Sequence, residues 1–222
     1  MEVDLRGVSV TIGMPVYGNI PPKTVVSLTS TVSRCASSGI RCEFVMEQGV
    51  LPISRDAVLA DFLEGDTDKL FWIDSDMIWE PGDFLRLLAL STLRDVVCAT
   101  YPRKVEGPTQ YQVDMDLGRI EADEHGLFPI RGAGLGFTVI DRKVCEQLAA
   151  TKPRVRDTLN GREMAEVFRF DTVDGKRRTE DMAFFADIRE LGFQVWLDPY
   201  VNLGHFGGRE WTGVVMDAFT PA

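Results

Sequence analysis

Two carboxylates one residue apart, Asp74 and Asp76, stand at the end of the apolar run Leu70-Phe71-Trp72-Ile73, which follows Lys69. The run reads as a buried β-strand, and a core strand has no need of such an ending. Like charges this close repel unless something positive sits between them. Hard divalent cations are held by one or two carboxylates together with substrate phosphates. Asp74-Ser75-Asp76 therefore suits a cation that carries a diphosphate. A turn with a helix cap uses the same residue types. The position at the mouth of a hydrophobic strand, shortly before Pro81 opens a helix, favours the metal reading.

Three further places could do chemistry. Thr179-Glu180-Asp181 begins the clearest helix of the chain, over 179–192, where two acids in the first turn would also complement the helix dipole. His205, one of only two histidines, lies among Gly204, Gly207 and Gly208. Arg55 opens a helix over 54–63, where it could neutralise a ligand or simply pair with Asp56 or Asp61.

The elements that must position these residues alternate. Strands are expected at 8–12, 41–46, 69–73 and 96–100, and helices at 24–38, 54–63 and 81–93. On the second strand, Cys42, Phe44 and Met46 share one face. Strands alternating with helices of this length indicate βαβ units and a parallel sheet. Ligands bind such sheets outside the carboxyl ends of the strands, where Tyr17, Asp74, Asp76 and Arg103 all fall. The second half differs, with short strands at 111–113, 118–120 and 127–130 making a mixed, partly antiparallel edge. Residues 132–140 join a glycine-rich loop to a strand. No helix N-terminus follows at the spacing a dinucleotide site needs, so the glycines serve close backbone approach. The polar stretch 151–178 reads as a mobile loop or lid, and 193–197 as the last strand.

With 222 residues, 45% of them hydrophobic, the chain can bury one sizeable core, so a single domain over 1–222 is expected. Its two halves, 1–105 and 106–222, read differently. No apolar run reaches the length of a membrane span. The first residues lack the blocks of a signal peptide, which suggests a cytoplasmic protein. Cys35, Cys42, Cys98 and Cys145 are scattered and read as small hydrophobes, not as a zinc site or disulfide framework. A net charge of −10 argues against stable grip on a nucleic-acid backbone. The dense basic spots are Arg103-Lys104 and Lys176-Arg177-Arg178, so an anionic ligand must be captured locally.

In order along the chain, Met14-Pro15-Val16-Tyr17, Ser54-Arg55-Asp56, Phe71-Trp72-Ile73-Asp74-Ser75-Asp76, the loop 132–137, Thr179-Glu180-Asp181 and 198–205 resemble the GT-A fold glycosyltransferases. These are metal-dependent enzymes with a single nucleotide-binding α/β domain and an Asp-x-Asp motif. The similarity extends to uncharacterised phage and bacterial members. It implies an α/β fold, a mostly parallel central sheet with a smaller mixed edge, in which 1–105 form the nucleotide- and metal-binding half and 106–222 the acceptor-binding and catalytic half. It also implies transfer of a sugar from a nucleotide-diphosphate sugar, UDP before GDP, to an acceptor hydroxyl.

By this resemblance Asp76, with Asp74 directly or through water, binds Mn²⁺ or Mg²⁺, and His205 completes the shell. A nitrogen ligand favours Mn²⁺. Pro15, Val16 and Tyr17 line the nucleoside, Arg55 meets phosphate or base, Ser75 sits at the donor, and Asp181 is the catalytic base. Inversion is favoured, though stereochemistry stays open. The acceptor (glycan, protein or modified nucleobase) is unspecified, because 151–178 matches nothing in the family. Rival readings are a nucleotidyltransferase, a non-catalytic relative, and a glycosyltransferase acting on modified DNA bases. The first would need a basic glycine-rich loop that 14–19 lacks, and Lys176-Arg177-Arg178 keeps the last open.

Overall fold

Backbone N–H groups of a buried strand must pair on both sides, and β1 (Ser9–Val16), buried from end to end, does so between two parallel neighbours. The structure is a computed structural model and describes residues 3–115, 121–158 and 161–219. Pro22, in the first turn where its missing N–H costs nothing, opens α1 (Pro22–Ser37). Then come β2 (Arg41–Gln48), α2 (Leu51–Glu64), β3 (Lys69–Ile73) and the short β4 (Met77–Ile78). Pro81 and a capping box between Glu80 and Asp83 start α3 (Pro81–Leu90), which leads to β5 (Val96–Cys98). The second half holds β6 (Val113–Met115), β7 (Phe128–Ala133), β8 (Phe137–Asp141) and α4 (Arg142–Ala150). Two hairpins follow, β9 (Arg154–Arg156) with β10 (Glu163–Ala165) and β11 (Asp171–Val173) with β12 (Lys176–Arg178). Helix α5 (Glu180–Glu190), β13 (Val195–Leu197), β14 (Asn202–Phe206), β15 (Glu210–Val214) and a 3₁₀ turn at Val215–Ala218 complete the described chain.

The main sheet has the order β2-β1-β3-β8-β5-β13-β7-β6. β1 is parallel to β2 and β3, β8 opposes both β3 and β5, β13 follows β5, and β7 opposes β13 and β6. Only β7 and β8 thus run against the rest, which gives the mostly parallel sheet with a mixed edge that the strand-helix alternation implies. Helices cover both faces. Val58 and Phe62 of α2, Leu148 of α4 and Phe184 of α5 pack on one side, and Cys35 of α1 with Phe84 and Leu87 of α3 on the other.

Phe44 and Met46 are exposed on the edge strand β2, and of the face they share with Cys42 only Cys42 packs against the core. One expectation is corrected. The stretch 151–178 is no open lid. It forms the two hairpins, and its Met164, Ala165, Val167 and Phe168 are buried in the core. Phe168 stacks on Phe184 at 4.8 Å, and the amides of Val167 and Phe168 donate to Asp56 Oδ1 at 2.9 and 3.0 Å. The strand expected at 118–120 lies outside the described residues.

Candidate functional site

A cavity of about 580 Å³ opens where several strands end at their carboxyl termini. Pro15 and Tyr17 from the end of β1, and Val50 and Leu51 after β2, form an apolar side. Asp74, Ser75 and Asp76 after β3, with Tyr101 after β5, form a polar side, and Gln112 and His205 complete the wall. The volume is that of a small-molecule site. Tyr17 is 81% exposed, so its ring is free to cover a planar ligand.

The polar side has two centres. At the first, antiparallel pairing of β14 with β4 sets His205 opposite Met77, and the Phe206 amide donates to the Asp76 carbonyl at 2.9 Å. Strand register thereby brings residues far apart in sequence together, with His205 Nε2 3.5 Å from Asp76 Oδ1. His205 Nδ1 lies 2.9 Å from the carbonyl oxygen of Pro102, which can only accept, so Nδ1 carries the proton. In the neutral ring Nε2 then presents its lone pair to the carboxylate. Two acceptors facing each other in this way fit a cation between them, and the second hydrogen bond that fixes the tautomer is the usual support of a histidine ligand.

Lys104 is already bonded to Asp76 Oδ2. Its stem lies over Gly207, where a Cβ would come within 2.4 Å of Lys104 Cδ. Burial opposes ionisation of Asp76, but Lys104, and His205 whenever its ring is protonated, outweigh it and hold the carboxyl below its ordinary range.

At the second centre, Asp74 Oδ1 accepts from Arg55 Nη2 at 3.1 Å and Oδ2 from the Tyr101 hydroxyl at 3.3 Å. Arg55 is 1% exposed and also bonds Glu180, at 3.3 Å, and Asp181. Burial alone would lower the guanidinium, but Asp181, Asp74 and Glu180 raise it overall. Burial pushes Asp181 up to about 6, against the pull of Arg55. The loop after β7 fits around this cluster only because Gly134 and Gly136 lack side chains. A Cβ at Gly136 would stand 2.4 Å from Asp74 Oδ2, and one at Gly134 would stand 2.6 Å from the Tyr101 hydroxyl.

The cavity gathers Pro15, Tyr17, Asp74, Ser75, Asp76 and His205 as the sequence suggests. Val16 does not line it, because its side chain turns into the core. Arg55 does not line the cavity, and its ion pairs are with Asp74, Glu180 and Asp181 in place of the expected Asp56 or Asp61. It supplies the positive charge that Asp74 needs. Asp181 stands behind Asp74 and Arg55, outside the cavity wall. Sequence reasoning missed Val50, Leu51, Tyr101 and Gln112. The strand-end rule could have found Val50, Leu51 and Tyr101, which follow β2 and β5, whereas Gln112 carries no such signal.

Among the described residues no group of three or more His, Cys, Asp or Glu is placed to hold a metal unaided. A carboxylate beside a nitrogen lone pair nevertheless fits a divalent cation whose other positions are filled by phosphate oxygens. The residues that would hold it are Asp76 and His205, with Asp74 reaching it at most through water.

No protein-family profile matches the sequence, and no curated protein matches it. Solved structures do. A197 from STIV superposes with a TM-score of 0.57 at 19% identity, over 90% of this chain and 86% of that one. The structure of GalNAc-T7 with UDP, GalNAc and Mn²⁺ superposes with a TM-score of 0.57 at 9% identity, over 89% of this chain and 43% of that one. At these identities the likeness is one of fold, and the fold is GT-A-like. No helix among the described residues is long and apolar enough to cross a membrane.

Proposed function

We propose that the protein is a metal-dependent glycosyltransferase that takes a sugar from a nucleotide-diphosphate donor, UDP-linked before GDP-linked, and passes it to an acceptor hydroxyl. The observation that carries this reading is His205 Nε2 held 3.5 Å from Asp76 Oδ1 inside the strand-end cavity. A bound Mn²⁺ or Mg²⁺ would stabilise the negative charge that gathers on the departing diphosphate. Asp76 and His205 would hold that ion, and Lys104 would move from Asp76 toward phosphate when it arrives. Pro15, Tyr17, Val50 and Leu51 would enclose the nucleoside, and Ser75 would donate to the diphosphate. Asp74, braced by Arg55 and Tyr101, would fix the loop that carries Asp76.

Asp181 is the proposed base that takes the acceptor proton as the hydroxyl oxygen bonds to the anomeric carbon and the bond to diphosphate breaks. With its carboxyl near 6 it is largely ionised at neutral pH, as a base must be. Its side chain is 13% exposed and bonded to Arg55. Incubation with a panel of nucleotide sugars and Mn²⁺ tests the reading. Slow, chelator-sensitive hydrolysis of one donor supports it, and inertness toward all of them counts against it.

A further inference from the structure

A second cavity, of about 480 Å³, shares Gln112 with the first and is otherwise lined from α5, β6, β7 and the β11–β12 hairpin. Five cationic side chains line it, Arg131, Lys176, Arg177, Arg178 and Arg189, against the single carboxylate of Asp114. Two of the five are neutralised, since Arg131 pairs with Asp114 at 2.8 Å and Arg178 with Asp171 at 2.5 Å. The side chains of Lys176, Arg177 and Arg189 make no ion pair among the described residues. In a chain of net charge −10 such a surplus of free positive charge in one concavity focuses anions there.

The backbone that carries these cations is also held in place. Asp174 and Gly175, with φ of 50° and 73°, make the two-residue turn that suits a tight hairpin, so Lys176 and Arg177 sit on a fixed strand. Just before that hairpin, Arg169 is clamped to Asp187 of α5 at 2.6 and 3.0 Å. Met182, Ala186 and Arg189 recur at the spacing of one helix face, which gives an apolar floor with a charge at its end. Thr179 and Met182 in the wall flank the Glu180-Asp181 pair.

We propose that this groove is the acceptor subsite and that it takes an acceptor bearing phosphate groups, with Lys176, Arg177 and Arg189 on the phosphate. The inference rests on the glycosyltransferase reading for the word acceptor, but not for the binding of phosphate. The reaction itself needs no charge on the acceptor, so the charge sets which hydroxyl compounds are admitted.

The test is direct binding without donor. Glucose 6-phosphate, a fluorescent single-stranded oligonucleotide of about ten nucleotides, and uncharged maltose are titrated into the full chain by calorimetry and anisotropy. UDP with Mn²⁺ is titrated in parallel. Salt-sensitive binding of the oligonucleotide or the sugar phosphate, not of maltose, weakened at least about tenfold in Lys176→Ala/Arg177→Ala, supports the groove. Binding of the oligonucleotide alone assigns a phosphodiester chain as the source, and binding of both assigns the phosphate group itself.

Three results overturn the proposal. These are no binding of either probe while UDP still binds, binding unchanged by the double substitution or by Arg189→Ala, and binding abolished by saturating UDP. Failure of UDP to bind while the phosphate probes do would sink the donor reading and leave this groove intact. Circular dichroism of each variant confirms that a loss is not unfolding.

Discussion

Arg55 and Asp74 are joined by a 3.1 Å ion pair, and the same buried guanidinium reaches Asp181, 126 positions further along the chain. One side chain of α2 therefore ties the end of β3 to the head of α5. It lets the Asp-x-Asp loop carry two acids, because only Asp76 then has to find its counter-charge in the cavity.

Removing that guanidinium should be costly. Arg55→Met leaves Asp74, Glu180 and Asp181 together without their common partner, and breaking a buried pair costs about 3–5 kcal/mol. For a chain of this length the midpoint of thermal unfolding should fall by on the order of 10 °C. Adding Asp181→Asn removes one of the stranded charges and should recover part of the loss. A midpoint unchanged in Arg55→Met would mean that the cluster is not the brace described.

Asp56 gives the fold a pH dependence of definite sign. Burial pushes its carboxyl up from 3.8 to about 7, although the Val167 and Phe168 amides pull the other way. Because the folded value is the higher one, the contribution to stability is complete below about pH 4 and is lost as pH rises through 7. The loss is at most about 4 kcal/mol at 1.36 kcal/mol per unit. Urea midpoints should decline between pH 5 and 8 in the wild type and decline less in Asp56→Asn. Equal slopes in the two proteins would dissociate Asp56 from that decline.

Lys104 occupies one oxygen of the proposed cation site, so it should compete with the metal. A partly exposed pair of this kind is worth up to about 1 kcal/mol. Lys104→Met should then lower the half-saturating Mn²⁺ concentration, read from UDP binding, by about two- to fivefold. A weaker Mn²⁺ requirement in the wild type than in the variant would reverse the assigned role.

The chain shows plainly which parts of this arrangement are legible in sequence. β3 and its two acids stand out because paired carboxylates are unusual at the end of a fully buried strand, although a turn uses the same residue types. The alternation of strands and helices through 100 gives the parallel part of the sheet and the side on which the cavity opens. What escapes is set by contacts far apart in the chain. Arg55 looks like a residue pairing with Asp56 or Asp61, and only the fold, which brings its guanidinium to the head of α5 and the end of β3, shows its partners. The polar appearance of 151–178 hides Val167 and Phe168, whose burial depends on Asp56 accepting their amides. Family order alone points to His205, whereas its meeting with Asp76 follows from the β4–β14 register.

Asp181 separates chemistry from structure. If it takes the acceptor proton, Asp181→Asn should reduce transfer by about 10²–10⁴-fold with UDP and Mn²⁺ affinities nearly unchanged. Glu180→Gln, in the same helix turn and on the same arginine, should keep most of the activity. The opposite pattern would move the base to Glu180. Full activity in both variants would place the proton acceptor elsewhere.

The central claim, a cation held between Asp76 and His205 for a nucleotide diphosphate, is tested most directly by calorimetric titration of UDP with Mn²⁺ and again with excess chelator. The account predicts saturable binding with Mn²⁺, loss of at least tenfold in affinity with chelator, and the same loss in Asp76→Asn and His205→Ala with the fold intact. UDP affinity that is equal with and without the metal, and equal in the two variants, would contradict it.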